Sequence, residues 1–157
     1  MRATLAVFLL AGCSHPPALL DPCGCDAVSA PKVTIEFRAA QDQAAPGYSP
    51  LPNGPRGEEI FVSDETAIPV AEILDAVYTA GDFDKPGVQI RLTEFGASHM
   101  VQLSSAQMGK RVAILENGAV LAAPIVRSQV ADVVLVPGLT QDQACAIVCA
   151  LRARPAR

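Results

Sequence analysis

The residues that could carry chemistry are few. They are five cysteines (Cys13, Cys23, Cys25, Cys145, Cys149), two histidines (His15, His99), the Gly109-Lys110 pair and the acidic residues Glu58-Glu59, Asp64-Glu65, Asp82 and Asp84. Gly109-Lys110 invites a phosphate-binding reading. Such a loop needs a glycine five residues before the Gly-Lys pair and a Ser or Thr after it to hold magnesium, and Ser104 and Arg111 occupy those places. No Gly-x-Ser-x-Gly elbow, His-Glu-x-x-His or Cys-x-x-Cys is present. His15 stands in a Pro- and Ala-rich stretch, and His99 reads as a solvated helix residue rather than a general base. The acidic pairs read as solvated charge, with Asp82 and Asp84 as turn formers beside Gly81 and Pro86. The sequence therefore offers no catalytic constellation and no cofactor motif, no metal ligand is assigned, and the expectation is a protein that is not an enzyme.

A chain of 157 residues holds one domain with a real core. A net charge of -4 and a pI near 5.1 argue against a nucleic-acid partner. The basic residues Arg152, Arg154 and Arg157 gather at the C-terminus, where they complement the end of a helix. No apolar run reaches the ~18 residues of a membrane span.

Met1-Arg2, the apolar stretch 3–11 and Leu10-Ala11-Gly12-Cys13 have the order of an export signal. This resembles a bacterial lipoprotein signal. The resemblance implies cleavage after residue 12, lipidation of Cys13 and, through Ser14, anchoring to the outer membrane in the periplasm. Residues 13–31 then read as a flexible tether. An exported chain meets oxidising conditions, and four cysteines remain. A bridge within Cys23/Cys25 or within Cys145/Cys149 is geometrically poor, so one or both of the first pair are expected to bridge to the second. A four-thiolate metal site, a redox role and free buried thiols stay open as alternatives.

The elements that must position these residues follow from periodicity. Lys32 to Arg38 alternates as a half-buried strand, and residues 41–57, with four prolines and three glycines, read as loop. Glu59 to Val62 is a short strand, Pro69 opens a short helix over Val70 to Leu74, and Ala76 to Thr79 pairs as a strand with Val88 to Leu92. Thr93 caps a helix to Gln107 with Ala97, Met100, Leu103 and Ser104 as its inward stripe. Arg111 to Leu115 and Ala119 to Ala122 form a hairpin about Asn117-Gly118, Pro124 marks an edge or bend, and Val133 to Val136 is a further strand. Thr140 to Gln143 has the form of a capping box ahead of a helix to Arg152. Strands mixed with helices without regular alternation mean an α+β fold, an antiparallel sheet with two or three helices packed on it.

In this order the stretch from Thr93 to Val126 resembles the head region of the large periplasmic domain of SecD, an accessory subunit of the bacterial protein-export translocon. The matching places are Thr93, Gly96-Ala97, Gly109-Lys110-Arg111, Asn117-Gly118 and Ala123-Pro124. Ile35 to Ala40 resembles the strand that opens that domain, and Thr140 to Ala153 its closing helix. The domain expected from this spans 32–153, after a signal at 1–12 and the tether at 13–31, and before a tail at 154–157. Gly96, Ala97, Gly109, Arg111, Asn117, Gly118 and Pro124 are implied as structural residues of the family motif. Two departures limit what is implied. Ser128 to Asp132 lacks the family's Gly-Gly pair, and the membrane helices through which SecD couples to protons have no counterpart here. The resemblance implies the fold and a polypeptide-binding habit toward extended secretory chains or translocon components, and not translocase activity. The alternatives are a cysteine-based metal or redox protein, or a structural or inhibitory envelope lipoprotein.

Overall fold

The computed structural model describes residues 23–25, 32–53, 57–80 and 85–154. Cys13, His15, Asp82, Asp84 and Arg157 lie outside them. Among the described residues eight strands, β1 (Ile35–Gln41), β2 (Tyr48–Asn53), β3 (Glu58–Ser63), β4 (Ile73–Ala80), β5 (Pro86–Leu92), β6 (Arg111–Glu116), β7 (Ala119–Ala122) and β8 (Val133–Val136), accompany two α-helices, α1 (Glu94–Ala106) and α2 (Gln141–Arg152). The fold is α+β and all strand pairing is antiparallel. The strands divide into two sheets, one of five strands in the order β2-β3-β1-β6-β7 and one of three in the order β4-β5-β8.

Local chemistry explains most element ends. The Thr93 hydroxyl accepts from the Gly96 N–H at 3.1 Å and starts α1. Thr140 and Gln143 form a reciprocal capping box that starts α2. Asn117 (φ 51°) and Gly118 (φ 83°) both lie in the left-handed region, as a tight primed turn between β6 and β7 demands. Asn117 also exchanges bonds with Thr34: its side-chain oxygen accepts from the Thr34 N–H and its own N–H donates to the Thr34 carbonyl, both at 2.9 Å.

Two expectations are corrected. Residues 41–57 are not all loop, because β2 lies within them. The Asp64 N–H donates to the Gly47 carbonyl at 2.9 Å, which puts the bonded parity of the β2–β3 pair on odd residues of β2. The nitrogens of Pro50 and Pro52 therefore point away from β3, where the ladder needs no N–H. The helix expected over Val70 to Leu74 is a single 3-10 turn, Val70–Glu72, and Ile73 already belongs to β4.

The main core lies between the two sheets and the helices. Phe37 from β1, Ile90 from β5, Ile114 from β6, Met100 from α1 and Ile147 from α2 meet there, all buried. β6 is buried on both faces: Val112 and Ile114 enter this core, while Ala113 and Leu115 enter a smaller one with Ile60, Val62 and Val120. The second core needs no covering layer because the five-stranded sheet curls, bringing its two edge strands β2 and β7 into contact. Among the described residues no helix is long and apolar enough to cross a membrane.

Candidate functional site

β8 is the edge of the three-stranded sheet and is wholly apolar (Val133-Val134-Leu135-Val136). Val136 is buried, whereas Val133 is 37% and Leu135 56% exposed. The Leu92 N–H donates to the Asp132 carbonyl at 2.8 Å, with Ile90 opposite Val134 and Val88 opposite Val136. In an antiparallel pair, opposed residues exchange both bonds or neither. The bonded parity thus falls on 132, 134 and 136, and the N–H and C=O groups of Val133 and Leu135 point away from β5 toward the open edge.

Beside that edge runs a groove of about 320 Å³. Phe37, Val112 and Ile114 line it from the five-stranded sheet, Met100 and Ser104 from α1, and β8 forms its rim. The opposite wall is the segment 124–130, including the half-exposed Ile125. This wall is hung at both ends. At one end it forms a short ladder with the α1–β6 turn: the Gly109 N–H donates to Val126, the Val126 N–H to Lys110 and the Val112 N–H to Pro124. Gly109 (φ 77°) provides the left-handed turn that this ladder requires. At the other end the buried Ser104 hydroxyl accepts from the Val130 N–H at 3.0 Å, and the Gln129 amide donates to Ser105 at 3.0 Å. Arg127 is the one charged residue lining the groove among the described residues.

The motif residues take three places. Gly109, Arg111 and Pro124 gather at the ladder, with Arg111 donating to the Ala123 carbonyl at 2.9 Å and to Asp42 at 2.6 Å. Gly96 and Ala97 sit at the far end of α1. A Cβ on Gly96 would lie 2.5 Å from the Glu72 carbonyl oxygen, so only glycine lets α1 approach the 3-10 turn so closely. Asn117 and Gly118 form the hairpin tip against Thr34, away from the groove. The Ser104 clip and the open parity of β8 escape sequence reasoning. Ser104 lay on the expected inward stripe, but its partner is 26 residues away and nothing local announces it.

The cysteines stand apart from the groove, as two bridges, Cys23–Cys145 and Cys25–Cys149. Sulfurs joined in this way present no thiolate to a metal. His99 lies on α1 with its Nδ1 2.8 Å from a Glu72 carboxylate oxygen, and Asp64 accepts from the Ser49 hydroxyl at 2.6 Å. On the outer face of the small sheet Arg91 donates to Asp75, the Nε bond measuring 2.7 Å. This hydrogen bond holds the Asp75 carboxyl below its usual value, opposed by partial burial, and raises the Arg91 guanidinium in turn. Among the described residues no group of three or more His, Cys, Asp or Glu side chains is placed to hold a metal ion.

Comparison with known proteins places this arrangement. Residues 48–155 match the family model "SecDF, P1 head subdomain". A crystal structure of SecDF in a super-membrane-facing form superposes with a TM-score of 0.64 at 20% identity, covering 79% of this chain and 19% of that one. A structure of SecDF, a membrane component that enhances protein export, superposes with a TM-score of 0.62, again at 20% identity, covering 79% of this chain and 64% of that one. The chain thus spans about a fifth of the first SecDF chain and just under two thirds of the second. No curated protein sequence matches it. The likeness in structure carries the fold, and the match over most of the chain carries the conclusion: the protein belongs to the SecDF P1 head subdomain family.

Proposed function

We propose that this protein is a non-catalytic accessory module of protein export, lipid-anchored through Cys13 on the periplasmic side of the outer membrane, that holds extended polypeptide along β8. One observation carries the reading: an apolar edge strand whose free N–H and C=O groups at Val133 and Leu135 stand beside an apolar groove. An extended chain added to β8 gains main-chain hydrogen bonds, and every second side chain can enter the groove. The nearly uncharged lining suits apolar segments such as those a secretory chain exposes before it folds. Membership in the SecDF head family supports the export setting and the periplasmic side.

A fluorescent peptide of alternating Val and Thr tests this. Binding is expected to the native protein and to weaken at least about tenfold, roughly 1.4 kcal/mol, in Leu135→Lys and in Val133→Pro. Proline at 133 removes an N–H that β5 does not use, so the fold should survive. Equal binding by both variants, with unchanged melting, would refute the site.

A further inference from the structure

The two disulfides do more than close loops. Cys23 and Cys25 straddle Gly24, and their partners Cys145 and Cys149 lie one helical turn apart on α2, so residues 23–25 are riveted at two points along the helix. α2 packs on β4 and β5. The segment joining the N-terminal stretch to the domain is therefore fixed to α2 well before the chain reaches Thr34, where backbone bonds to Asn117 begin the large sheet.

We infer that the paired bridges are a membrane-facing clamp, which moves the point of attachment from the start of β1 to α2 and thereby sets the height and orientation of the domain over the lipid surface. This rests on the lipid-anchor reading of Cys13. From Cys13 to Cys23 is a step of ten residues, and from Cys13 to Thr34 one of twenty-one. At full extension these reach at most about 36 Å and about 75 Å. The clamp halves the leash. It also biases which side lies near the lipid, because a single attachment at Thr34 would pull on the large sheet while the clamp pulls on α2 and, through it, on the β4 side of the small sheet. β8 lies at the opposite edge of that small sheet, across β5 from β4. The anchored side and the open edge are thus opposed, which leaves β8 accessible while the domain is held close.

Insertions on either side of the clamp test this in the full-length lipidated protein on phosphatidylcholine vesicles. The readout is energy transfer from a donor dye, coupled through an unnatural amino acid at Gln141, to an acceptor in the headgroups. A Gly/Ser segment of about twenty residues between Ala18 and Leu19 should lower transfer about twofold or more. The same segment between Ser29 and Ala30 should leave transfer unchanged in the oxidised protein, because it lies beyond the clamp. If the two insertions lower transfer alike in oxidised protein, the clamp is refuted while the anchor stands. If labelled fatty acid fails to incorporate at Cys13, the anchor reading falls and the clamp's role at the membrane falls with it.

Discussion

The edges of the two sheets, β2 and β8, solve opposite problems. At β2 the positions whose nitrogens face outward are Tyr48, whose N–H is taken by the Ala45 carbonyl, and Pro50 and Pro52, which have no N–H to offer. The sheet also curls so that β2 and β7 touch and the small core around Leu115 and Val62 closes on itself. At β8 the outward positions are Val133 and Leu135, with both polar groups intact and apolar side chains exposed. A long-lived apolar edge is a liability that folded proteins blunt with proline, charge, bulges or cover. Here one edge carries such devices and the other does not. The β4 edge has its own: a bulge between Ile73 and Asp75, and Arg154 donating to the Ile73 carbonyl. Protection withheld at one edge beside a groove argues that the edge is kept open for use.

The strongest way to break this contrast is to loosen the small sheet. The bridges close loops with separations of 122 and 124 residues, and in the chain-entropy model the first contributes roughly 5 kcal/mol. The second closes only a small additional ring and adds less. Reduction should lower the melting temperature clearly. Because α2 packs on β4 and β5, hydrogen exchange should quicken in α2 and the small sheet before it does in β1, β3 and β6. Uniform loss of protection would show that the two sheets unfold as one unit and that the clamp does not act locally.

A smaller change tests the groove wall alone. In Ser104→Ala the partly buried Val130 N–H loses its acceptor, which costs at most the ~1 to 3 kcal/mol of a fully buried donor left unpaired. Peptide affinity should fall with it, since that end of the 124–130 wall is left held by the Gln129–Ser105 bond, while the β2–β3 hairpin keeps its protection. A variant as stable as the native protein would show that the clip is not what holds the wall.

The capping box at Thr140, the Thr93 cap and the Asn117-Gly118 turn were legible because each is set by residues within four positions of one another. β2 was not, since Pro50 and Pro52 spell loop unless the parity of the pairing is known, and parity is fixed by a partner strand across another turn. The same holds for β8: VVLV announces a strand, but which of its backbone groups remain free follows from its register against β5, more than forty residues earlier. The division into two sheets was hidden for a like reason, because a strand's alternation records that one face is buried and not what buries it. The groove arises only where α1, β6, the 124–130 segment and β8 converge, and no stretch of sequence contains it. The motif residues Gly109 and Pro124 lie at its wall, whereas Asn117 and Gly118 do not, so the family pattern mixes residues near the groove with residues that only shape the fold.

The subtlest prediction exchanges the character of the two edges. Pro50→Thr with Pro52→Val restores two outward N–H groups to β2, and Leu135→Lys places a charge on β8. All three residues are exposed, so the melting temperature should move little, within the ~0.5 kcal/mol expected of surface changes. The effect should lie in association. The double proline variant gains an exposed strand edge and should form concentration-dependent dimers in sedimentation, while Leu135→Lys should remain monomeric and lose peptide binding. Combining the three should give a protein that self-associates through β2 and no longer takes up peptide at β8. If the double proline variant associates no more than the native chain, then the curl that brings β2 against β7 is what guards that edge, and the prolines only accommodate it. The contrast between the edges would then rest on sheet curvature, which β8, in a three-stranded sheet with no strand on its far side, does not share.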